Sequence, residues 1–171
     1  MRYLLIPVLF VTACVRPEPL PFFGSVPDFK LTTQFNTILQ RKDLEGKVWV
    51  ADFIYTTCTG PCPLMTRKMR QVQSAEPKVL LISFSVDPEY DTPEVLAAYS
   101  RSVHALPRWF FLTGDRAALQ MLSREAFKLA DLGLTHSTRL VLVDDKSRIR
   151  GYYTEVPELL AGLRRLGCCR P

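Results

Sequence analysis

Two apolar segments separated by about one helix length of chain limit most strongly how this sequence can fold. Residues 48–55 (VWVADFIY) are dense in β-branched and aromatic side chains, and residues 78–86 (KVLLISFSV) form a second, nearly continuous apolar run. Such runs are typical of strands buried on both faces of a parallel sheet. Residues 63–74, between them, predict a helix. Together the three segments predict a parallel β-α-β unit.

The other segments predict how this unit is extended. Residues 26–46 roughly alternate apolar and polar positions and close on Gly46, which predicts an N-terminal β-hairpin. Thr92 is expected to cap a helix whose first residue is Pro93. The remaining predicted elements are a strand at 108–114, a helix at 115–130, a hairpin at 138–155 that turns around Asp144–Ser147, and a helix from about Pro157 to Leu166. This order predicts an α/β protein of thioredoxin-like fold, in which helices flank a central mixed sheet.

The first residues have the pattern of an export signal. Arg2 precedes an apolar run, residues 3–13, that is too short to span a bilayer and is typical of a secretory signal peptide. Thr12 and Ala13, directly before Cys14, are typical of a bacterial lipoprotein signal, which is cleaved before a cysteine that takes a lipid. An ordinary N-terminal anchor and a buried N-terminal strand are the alternatives.

The lipoprotein interpretation divides the chain into four parts. They are a signal peptide at 1–13, a proline-rich tether at 14–26, a folded domain at 27–167 and a tail at 168–171 that contains two adjacent cysteines. It predicts a membrane-anchored lipoprotein on the periplasmic side of a bacterial cell envelope, where disulfides persist. Whether the lipid enters the inner or the outer membrane stays open.

The charge balance argues against a nucleic-acid partner. The chain has 22 lysines and arginines against 17 acidic residues, and its formal net charge is +5. The basic residues do not cluster beyond Arg164 and Arg165, so a nucleic-acid footprint is missing from the sequence. At 171 residues the chain is long enough to bury a core without disulfides.

Two cysteines stand four positions apart where the first strand gives way to the helix. Proline disfavours the α conformation for the residue before it, so Pro61 and Pro63 are expected to keep Gly60 and Cys62 out of the helix. Pro63 then suits the first helical position, which places Cys62 at or next to the N-cap and leaves Cys58 in the loop. A thiolate at a helix N-terminus is stabilised by the N–H groups there, so we expect a lowered pKa for Cys62.

Two sulfur ligands favour soft metals, Cu(I) above all, or disulfide chemistry. A structural zinc site would require four ligands, and the sequence has no second Cys/His pair at finger spacing. Of the two histidines, His104 is expected to face solvent at the end of a helix. His136 comes two residues before a predicted buried strand, at an edge where it can approach the cysteine loop. A loop histidine bonded to the backbone is the alternative for His136.

Four segments together resemble the Sco/SenC family of copper-binding, thioredoxin-fold proteins. The family pattern is C-x-x-x-C-P, then D-P-x-x-D-T-P, then a single distant histidine ahead of a strand. The matching segments, which lie between about residues 27 and 166, are VWVADFIYTTCTGPCPLM, SFSVDPEYDTPEVLAAY, WFFLTG and LTHSTRLVLVD.

The resemblance implies that Cys58, Cys62 and His136 bind copper. It also implies that the protein delivers copper to, or prepares the thiols of, the dinuclear copper site of cytochrome c oxidase. Two thiolates and an imidazole satisfy three-coordinate Cu(I) and, with one more ligand, Cu(II), so the oxidation state stays open. The implied partners are the copper-site subunit of the oxidase and another protein that donates copper.

Six further residues are candidates for supporting roles. The carboxylate of Asp87 is interpreted either as an outer-shell group of the copper loop or as part of a turn, and Asp91 is expected to serve helix capping. Met65 and Met69 are one helical turn apart, which favours core packing over auxiliary metal ligation. Cys168 and Cys169 are left unassigned, since idle terminal thiols, a link to another molecule and a second metal-loading point are all open.

Two other functions compete with copper transfer. Cys58 and Cys62 would be the catalytic dithiol of a thioredoxin-type thiol-disulfide oxidoreductase, so whether the chain is an enzyme stays open. Against this interpretation, the spacing is not C-x-x-C, and no proline occurs between Lys128 and Arg150 to stand beside the dithiol. A redoxin-type peroxidase would use one reactive cysteine without a metal-capable partner, which the neighbouring cysteine argues against.

Overall fold

The computed structural model of this chain describes residues 18–128 and 138–167. Cys14, His136, Cys168 and Cys169 lie outside the described residues, and so does the predicted signal peptide. The strands are β1 (Gly24–Ser25), β2 (Lys30–Thr33), β3 (Ile38–Gln40), β4 (Trp49–Ile54), β5 (Leu80–Ser85), β6 (Trp109–Thr113), β7 (Leu140–Val143) and β8 (Arg148–Tyr153). The α-helices are α1 (Cys62–Ala75), α2 (Pro93–Ser102), α3 (Arg116–Met121) and α4 (Val156–Arg165).

The strands form one sheet in the order β1-β8-β7-β4-β5-β6-β2-β3. β4, β5 and β6 run parallel to one another, and the other neighbours pair antiparallel. Every residue of β4 and β5 is buried, as expected for central strands with apolar sequences. The structure confirms the parallel β-α-β unit, the hairpin formed by β2 and β3, and the hairpin formed by β7 and β8.

Helix boundaries follow capping chemistry in two places. Thr92 caps α2, since its hydroxyl accepts a hydrogen bond from the backbone N–H of Val95 at 3.4 Å, as predicted. Asp115 caps α3 through the N–H of Ala118 at 2.8 Å.

The helix predicted over residues 115–130 is wrong in its second half. α3 ends at Met121, and the chain continues as a π-helical segment at Leu122–Ala126. The backbone N–H of Phe127 donates to the carbonyl of Leu122 at 2.9 Å, which is the wider hydrogen-bond spacing of a π turn. Both side chains are fully buried, so the wider turn is accompanied by apolar packing that the helical period alone does not reveal.

Apolar side chains form a separate layer on each face of the sheet. On one face, aromatic rings pack together, with Phe53 stacked on Phe84 at a centroid distance of 5.1 Å and Phe127 against both. The other face is covered by side chains of α1, α2 and α4, and both cysteines of the loop belong to this layer. Met65 and Met69 are buried in the same layer, as their helical spacing predicts.

The described part of the predicted tether lies against the folded domain. The side chains of Arg165 and Arg150 donate to the backbone carbonyls of Glu18 and Leu20. Residues 24–25 then form β1, which pairs with β8 at one edge of the sheet. This short strand was not predicted from the sequence.

The N-terminal segment approaches the sheet at the end where β4 begins. Pro19 and Leu20 line the same hollow as Val48, the residue before β4. The cysteine loop follows the other end of β4, and that strand has six residues. At about 3.3 Å per residue, the two ends lie about 20 Å apart.

Candidate metal centre

Cys58 and Cys62 lie where β4 passes into α1, at one end of the sheet. The N–H of Cys58 donates to the carbonyl of Tyr55 at 3.3 Å, which closes a turn directly after β4. Both cysteines are thiols, and the exposed fractions of their residues are 9% and 2%. The sequence prediction of a dithiol in this connection is confirmed in its position.

Cys62 stands next to the N-cap of α1, as predicted, but the helix begins one residue earlier than predicted. Cys62 is the first helical residue and Pro61 occupies the N-cap in an α conformation, so Pro63 stands at the second helical position. A proline in the first turn removes only an N–H that the helix does not need. The restriction that Pro63 places on Cys62 is a tendency, and here Cys62 takes a helical position with its side chain buried in the core.

The pKa values of the two thiols shift in opposite directions, and the lowered pKa predicted for Cys62 is wrong. Burial raises the pKa of Cys62 to about 12, and the hydrogen bond with Cys58 adds to this increase. Burial also acts to raise the pKa of Cys58, but hydrogen bonds from the side chain and backbone N–H of Cys62, from the N–H of Gly60 and from Tyr55 lower it overall. The N–H groups at the helix start therefore serve the sulfur of Cys58.

Tyr55 contacts both sulfur atoms. Its backbone N–H forms a hydrogen bond with Cys62, and its hydroxyl forms one with Cys58. Partial desolvation, followed by the contact with Cys58, raises the pKa of Tyr55, so the phenol keeps its proton near neutral pH. The sequence analysis did not predict a role for Tyr55. The signal that could have identified it is a tyrosine three positions before Cys58.

A buried carboxylate lies in β4 behind the thiols. Asp52 accepts a hydrogen bond from the hydroxyl of Ser83 at 2.5 Å, and that hydroxyl accepts one from the indole N–H of Trp109 at 2.9 Å. Within the described ranges, Oδ2 of Asp52 has no hydrogen-bond partner. Burial raises the pKa of Asp52 to about 7, and its charge in turn adds to the raised pKa of Cys62. An acidic residue in the middle of VWVADFIY is the signal that sequence reasoning missed.

Asp91 holds the loop in place, and the capping role expected for it is wrong. Its buried carboxylate accepts hydrogen bonds from the hydroxyl of Thr56 at 2.5 Å, from the N–H of Thr56 at 3.2 Å and from the hydroxyl of Ser85 at 2.6 Å. Thr92 caps α2 instead. Asp91 thus joins the residue that follows Tyr55 to the end of β5.

The environment of Asp87 is polar and partly open to solvent. Its side chain is 33% exposed and forms an ion pair with Arg116 at 3.6 Å, while its N–H donates to the hydroxyl of Ser85 at 3.0 Å. Arg116 also pairs with Glu89. The charge of Asp87 acts on Tyr55, so its carboxylate lies in the vicinity of the dithiol loop. Its outer-shell role stays a prediction.

The third predicted ligand, His136, lies outside the described residues. Among residues 18–128 and 138–167, no three His, Cys, Asp or Glu side chains form a group that could hold a metal ion. His104 is exposed directly beyond the end of α2, as predicted for a solvent-facing residue. The described part of the site therefore offers two soft sulfur donors on one loop, which fits a soft metal that takes a further ligand and equally fits disulfide formation.

A search of the helices in the described ranges finds none that is both long and apolar enough to cross a membrane.

Comparison with known proteins identifies the fold and the family of this chain. A curated relative from Bacillus subtilis strain 168, a SCO1 protein homolog, is 34% identical over 129 residues, which cover 70% of this chain and 66% of that protein. The crystal structure of a SCO1/SenC family lipoprotein from Bacillus anthracis is 30% identical with a TM-score of 0.78, and the match covers 90% of this chain and 99% of that one.

Two further solved structures bear on the dithiol. ScoI of Bradyrhizobium japonicum with copper bound is 27% identical with a TM-score of 0.64, covering 84% of this chain and 99% of the other. BsSco, described with a disulfide switch and as a member of the Sco family of cytochrome c oxidase assembly proteins, has the same fold at 24% identity and a TM-score of 0.74, covering 90% and 100%.

These likenesses confirm the thioredoxin-like fold and the family resemblance predicted from the sequence. The SCO1/SenC family model matches residues 23–161, a range that includes the dithiol, Asp87 and Asp91. The chain belongs to the SCO1/SenC family.

Proposed function

We propose that this chain binds copper through Cys58, Cys62 and His136, and that it delivers copper to, or prepares the thiols of, the dinuclear copper site of cytochrome c oxidase. The observation that carries the proposal is the pair of thiols held where β4 passes into α1, one in the connecting loop and one at the first residue of the helix. Two sulfur donors suit Cu(I), and an imidazole completes a three-coordinate site. Copper bound in a related ScoI supports the choice of metal, and the membership of BsSco in a family of cytochrome c oxidase assembly proteins supports the choice of recipient.

The chemistry of transfer follows from the small number of ligands that such a site supplies. Copper is the cargo, and the two sulfurs hold it until a partner's ligands replace them one at a time. Both thiols lie at the same end of the sheet, where β4 passes into α1, so a partner would meet them on one side of the protein. The copper-site subunit of the oxidase and an upstream copper donor are the proposed partners.

Copper titration of the protein tests this function. We expect one tightly bound copper per chain, with sulfur and nitrogen ligation visible by absorbance and electron paramagnetic resonance. His136→Ala should abolish or severely weaken binding, and His104→Ala, which removes an exposed histidine, is the matched control. An unchanged Cu(II) spectrum in His136→Ala would contradict the three-ligand site.

A thiol-disulfide oxidoreductase is the second candidate, and the asymmetry of the thiols favours it. The lowered pKa of Cys58 makes it the attacking thiolate. It would form a mixed disulfide with a partner and release one partner thiol. Cys62 would then lose its proton and attack Cys58, releasing the second partner thiol and leaving a Cys58–Cys62 disulfide.

The two candidates are separated by comparing the apo and copper forms of the reduced protein. If metal and redox chemistry compete for the same thiols, the apo form reduces a partner disulfide and the copper form does not. Equal activity of both forms would contradict this competition.

We also propose that Cys14 carries a lipid that anchors the protein on the periplasmic side of a bacterial envelope. The signal pattern before Cys14 and the lipoprotein from Bacillus anthracis support this location. Cells grown with labelled palmitate should label the parent protein but not Cys14→Ser. An unlabelled parent protein would refute lipidation.

A further inference from the structure

Exposed basic residues form a row at the end of the sheet opposite the dithiol. Lys47, Lys78 and Arg108 come shortly before β4, β5 and β6, which run parallel and therefore begin at the same end. β7 runs antiparallel to β4 and ends there, and Lys146 lies in the turn that follows it. Since neighbouring strands are about 4.8 Å apart, the row is about 15 Å long. We call it the basic rim, which only the folded sheet assembles from distant parts of the sequence.

The surroundings of the basic rim leave this end with an excess of positive charge. The last turn of α4 adds Arg164 and Arg165, and Arg165 lines one hollow with Gly46, the residue before Lys47. The carboxylates of the described residues at this end are Glu18, Glu45, Glu76, Asp144 and Asp145. Two of them are already paired, Glu45 with Arg41 and the buried Asp144 with Arg148 and Arg150.

The dithiol end of the sheet carries the opposite charge. Asp87 follows β5, Asp115 follows β6 and Glu155 follows β8. Arg116 faces two carboxylates at once, those of Asp87 and Glu89. An anionic surface would therefore attract the basic rim and repel the dithiol end, which gives the protein one preferred orientation.

Two large apolar side chains are exposed beside the basic rim. Leu106, 52% exposed, lies in the turn that leads into β6, where its carbonyl accepts the N–H of Trp109 at 3.0 Å. Phe35, 60% exposed, lies in the turn between β2 and β3 and packs edge-on against Phe110 of β6 at a centroid distance of 6.5 Å. Cations beside leucine and aromatic side chains are typical of surfaces that lie on a bilayer, since the cations meet phosphates while the apolar groups enter the headgroup region.

The N-terminal segment leads to the same end of the molecule. Arg165 donates to the carbonyl of Glu18, which holds the start of the described chain there. Cys14, the proposed lipid site, is four residues earlier, and four residues reach at most about 14 Å. A lipid at Cys14 would therefore keep the basic rim close to the bilayer, where electrostatic attraction acts over about 8 Å at physiological ionic strength.

We propose that the basic rim docks on the surface of an anionic phospholipid bilayer, with Leu106 and Phe35 entering the headgroup region and the dithiol pointing away from the membrane. The inference goes beyond the proposed function, because it assigns membrane binding to the folded domain itself. It is tested without the lipid, so lipidation of Cys14 and copper binding are decided separately.

Sedimentation with vesicles measures the binding. Residues 14–171 with Cys14→Ser are the chain that cleavage before Cys14 would leave, and they contain every described residue. We expect this protein to bind vesicles of equal parts phosphatidylglycerol and phosphatidylcholine, to release them as salt is added, and to ignore vesicles of phosphatidylcholine alone.

Paired charge reversals test whether the basic rim is the contact. Lys78→Glu with Arg108→Glu should weaken binding to the anionic vesicles roughly ten- to thirtyfold. The control is Lys30→Glu with Arg67→Glu, which makes the same change of charge at exposed residues outside the rim and should weaken binding less than about threefold. Equal losses in the two double variants would overturn the proposal.

Tryptophan quenching by brominated phosphatidylglycerol tests the orientation. Phe35→Trp should be quenched on binding, whereas Tyr90→Trp, at an exposed position on the connection between β5 and α2, should not, and the native Trp49 and Trp109 are fully buried. Equal quenching of both variants, or no binding of the parent protein to the anionic vesicles, would overturn the proposal. So would binding to a short DNA duplex as tight as to the vesicles with neither variant quenched, since the rim would then be a general polyanion surface.

Discussion

Asp52 and Asp91 are both fully buried near the dithiol, and each accepts a hydrogen bond from a serine of β5. Asp91, bonded to Ser85, also receives the hydroxyl and the N–H of Thr56 and so braces the cysteine loop. Asp52 has only Ser83 as a side-chain donor, and in the described part of the chain its second oxygen has none. A buried aspartate therefore holds the cysteine loop in place at position 91, whereas at position 52 it is a carboxyl group whose charge depends on pH.

Asp52→Asn is expected to have the largest effect, and that effect depends on pH. Burial raises the pKa of Asp52 from 3.8 to about 7, so between these values the folded state keeps a proton that the unfolded state releases. The stability of the parent should fall as pH rises through this window, by up to about 4 kcal/mol, and the asparagine variant should lack this loss. Urea unfolding between pH 4 and pH 8 measures it, and parallel curves for the two proteins would contradict the prediction.

Asp91→Ala tests the brace. The substitution leaves the N–H of Thr56 without its acceptor and should lower the free energy of unfolding by about 3 kcal/mol. Asp115→Ala, which removes a helix cap that shares no hydrogen bond with Asp91, is the control and should cost about 1 kcal/mol. Equal losses in the two variants, measured by urea unfolding, would show that Asp91 is no more than a local turn residue.

The contrast between the two thiols can be tested by alkylation. The pKa of Cys58 is lowered and that of Cys62 is raised to about 12, so limiting iodoacetamide at pH 8 should label Cys58 first, by roughly 30-fold or more. Peptide mapping by mass spectrometry identifies the site of the first adduct. Predominant labelling of Cys62 would instead support the lowered pKa that the sequence predicted for a cysteine at the helix start.

Substitution of the two serines of β5 should give the smallest effects. The two losses in the free energy of unfolding compare the hydrogen bonds around Asp52 with those around Asp91. Ser83→Ala leaves both Asp52 and the indole N–H of Trp109 without this partner, which should cost about 2 kcal/mol. Ser85→Ala should cost about 1 kcal/mol, since Asp91 keeps its bonds to Thr56 and the N–H that loses the serine hydroxyl belongs to the partly exposed Asp87. A larger loss of stability for Ser85→Ala than for Ser83→Ala would contradict this ranking of the two serines.

The order of strands and helices was predictable from the sequence, because apolar runs such as VWVADFIY are typical of strands buried in the core. Local chemistry was predictable where one residue decides it, as at the Thr92 cap. The Thr56–Asp91 bond was not, because it joins residues far apart in the sequence. The pKa of Cys62 was misjudged for a related reason, since burial depends on what packs over the helix start and outweighs the helix terminus.

In the site as a whole, too, local features were predictable and contacts between distant residues were not. The location of Cys58 and Cys62 after β4 and at the start of α1 could be derived from the sequence, although the two prolines misplaced the first residue of the helix by one position. The contributions of Tyr55 and Asp52 became visible only once the turn and the parallel pairing of β4 with β5 placed them beside the sulfurs and Ser83. His136 remains a prediction from the sequence pattern.

The contacts of Glu18 and Leu20 with two arginines have a practical consequence for experiments on partners. They hold the start of the described chain at the end of β4 opposite the cysteines, about 20 Å away. A fluorophore or a surface linkage introduced at Glu18 would therefore leave the thiol end uncovered. Immobilised in this way, the protein would present its reactive loop outwards, in one orientation, to any partner passed over the surface.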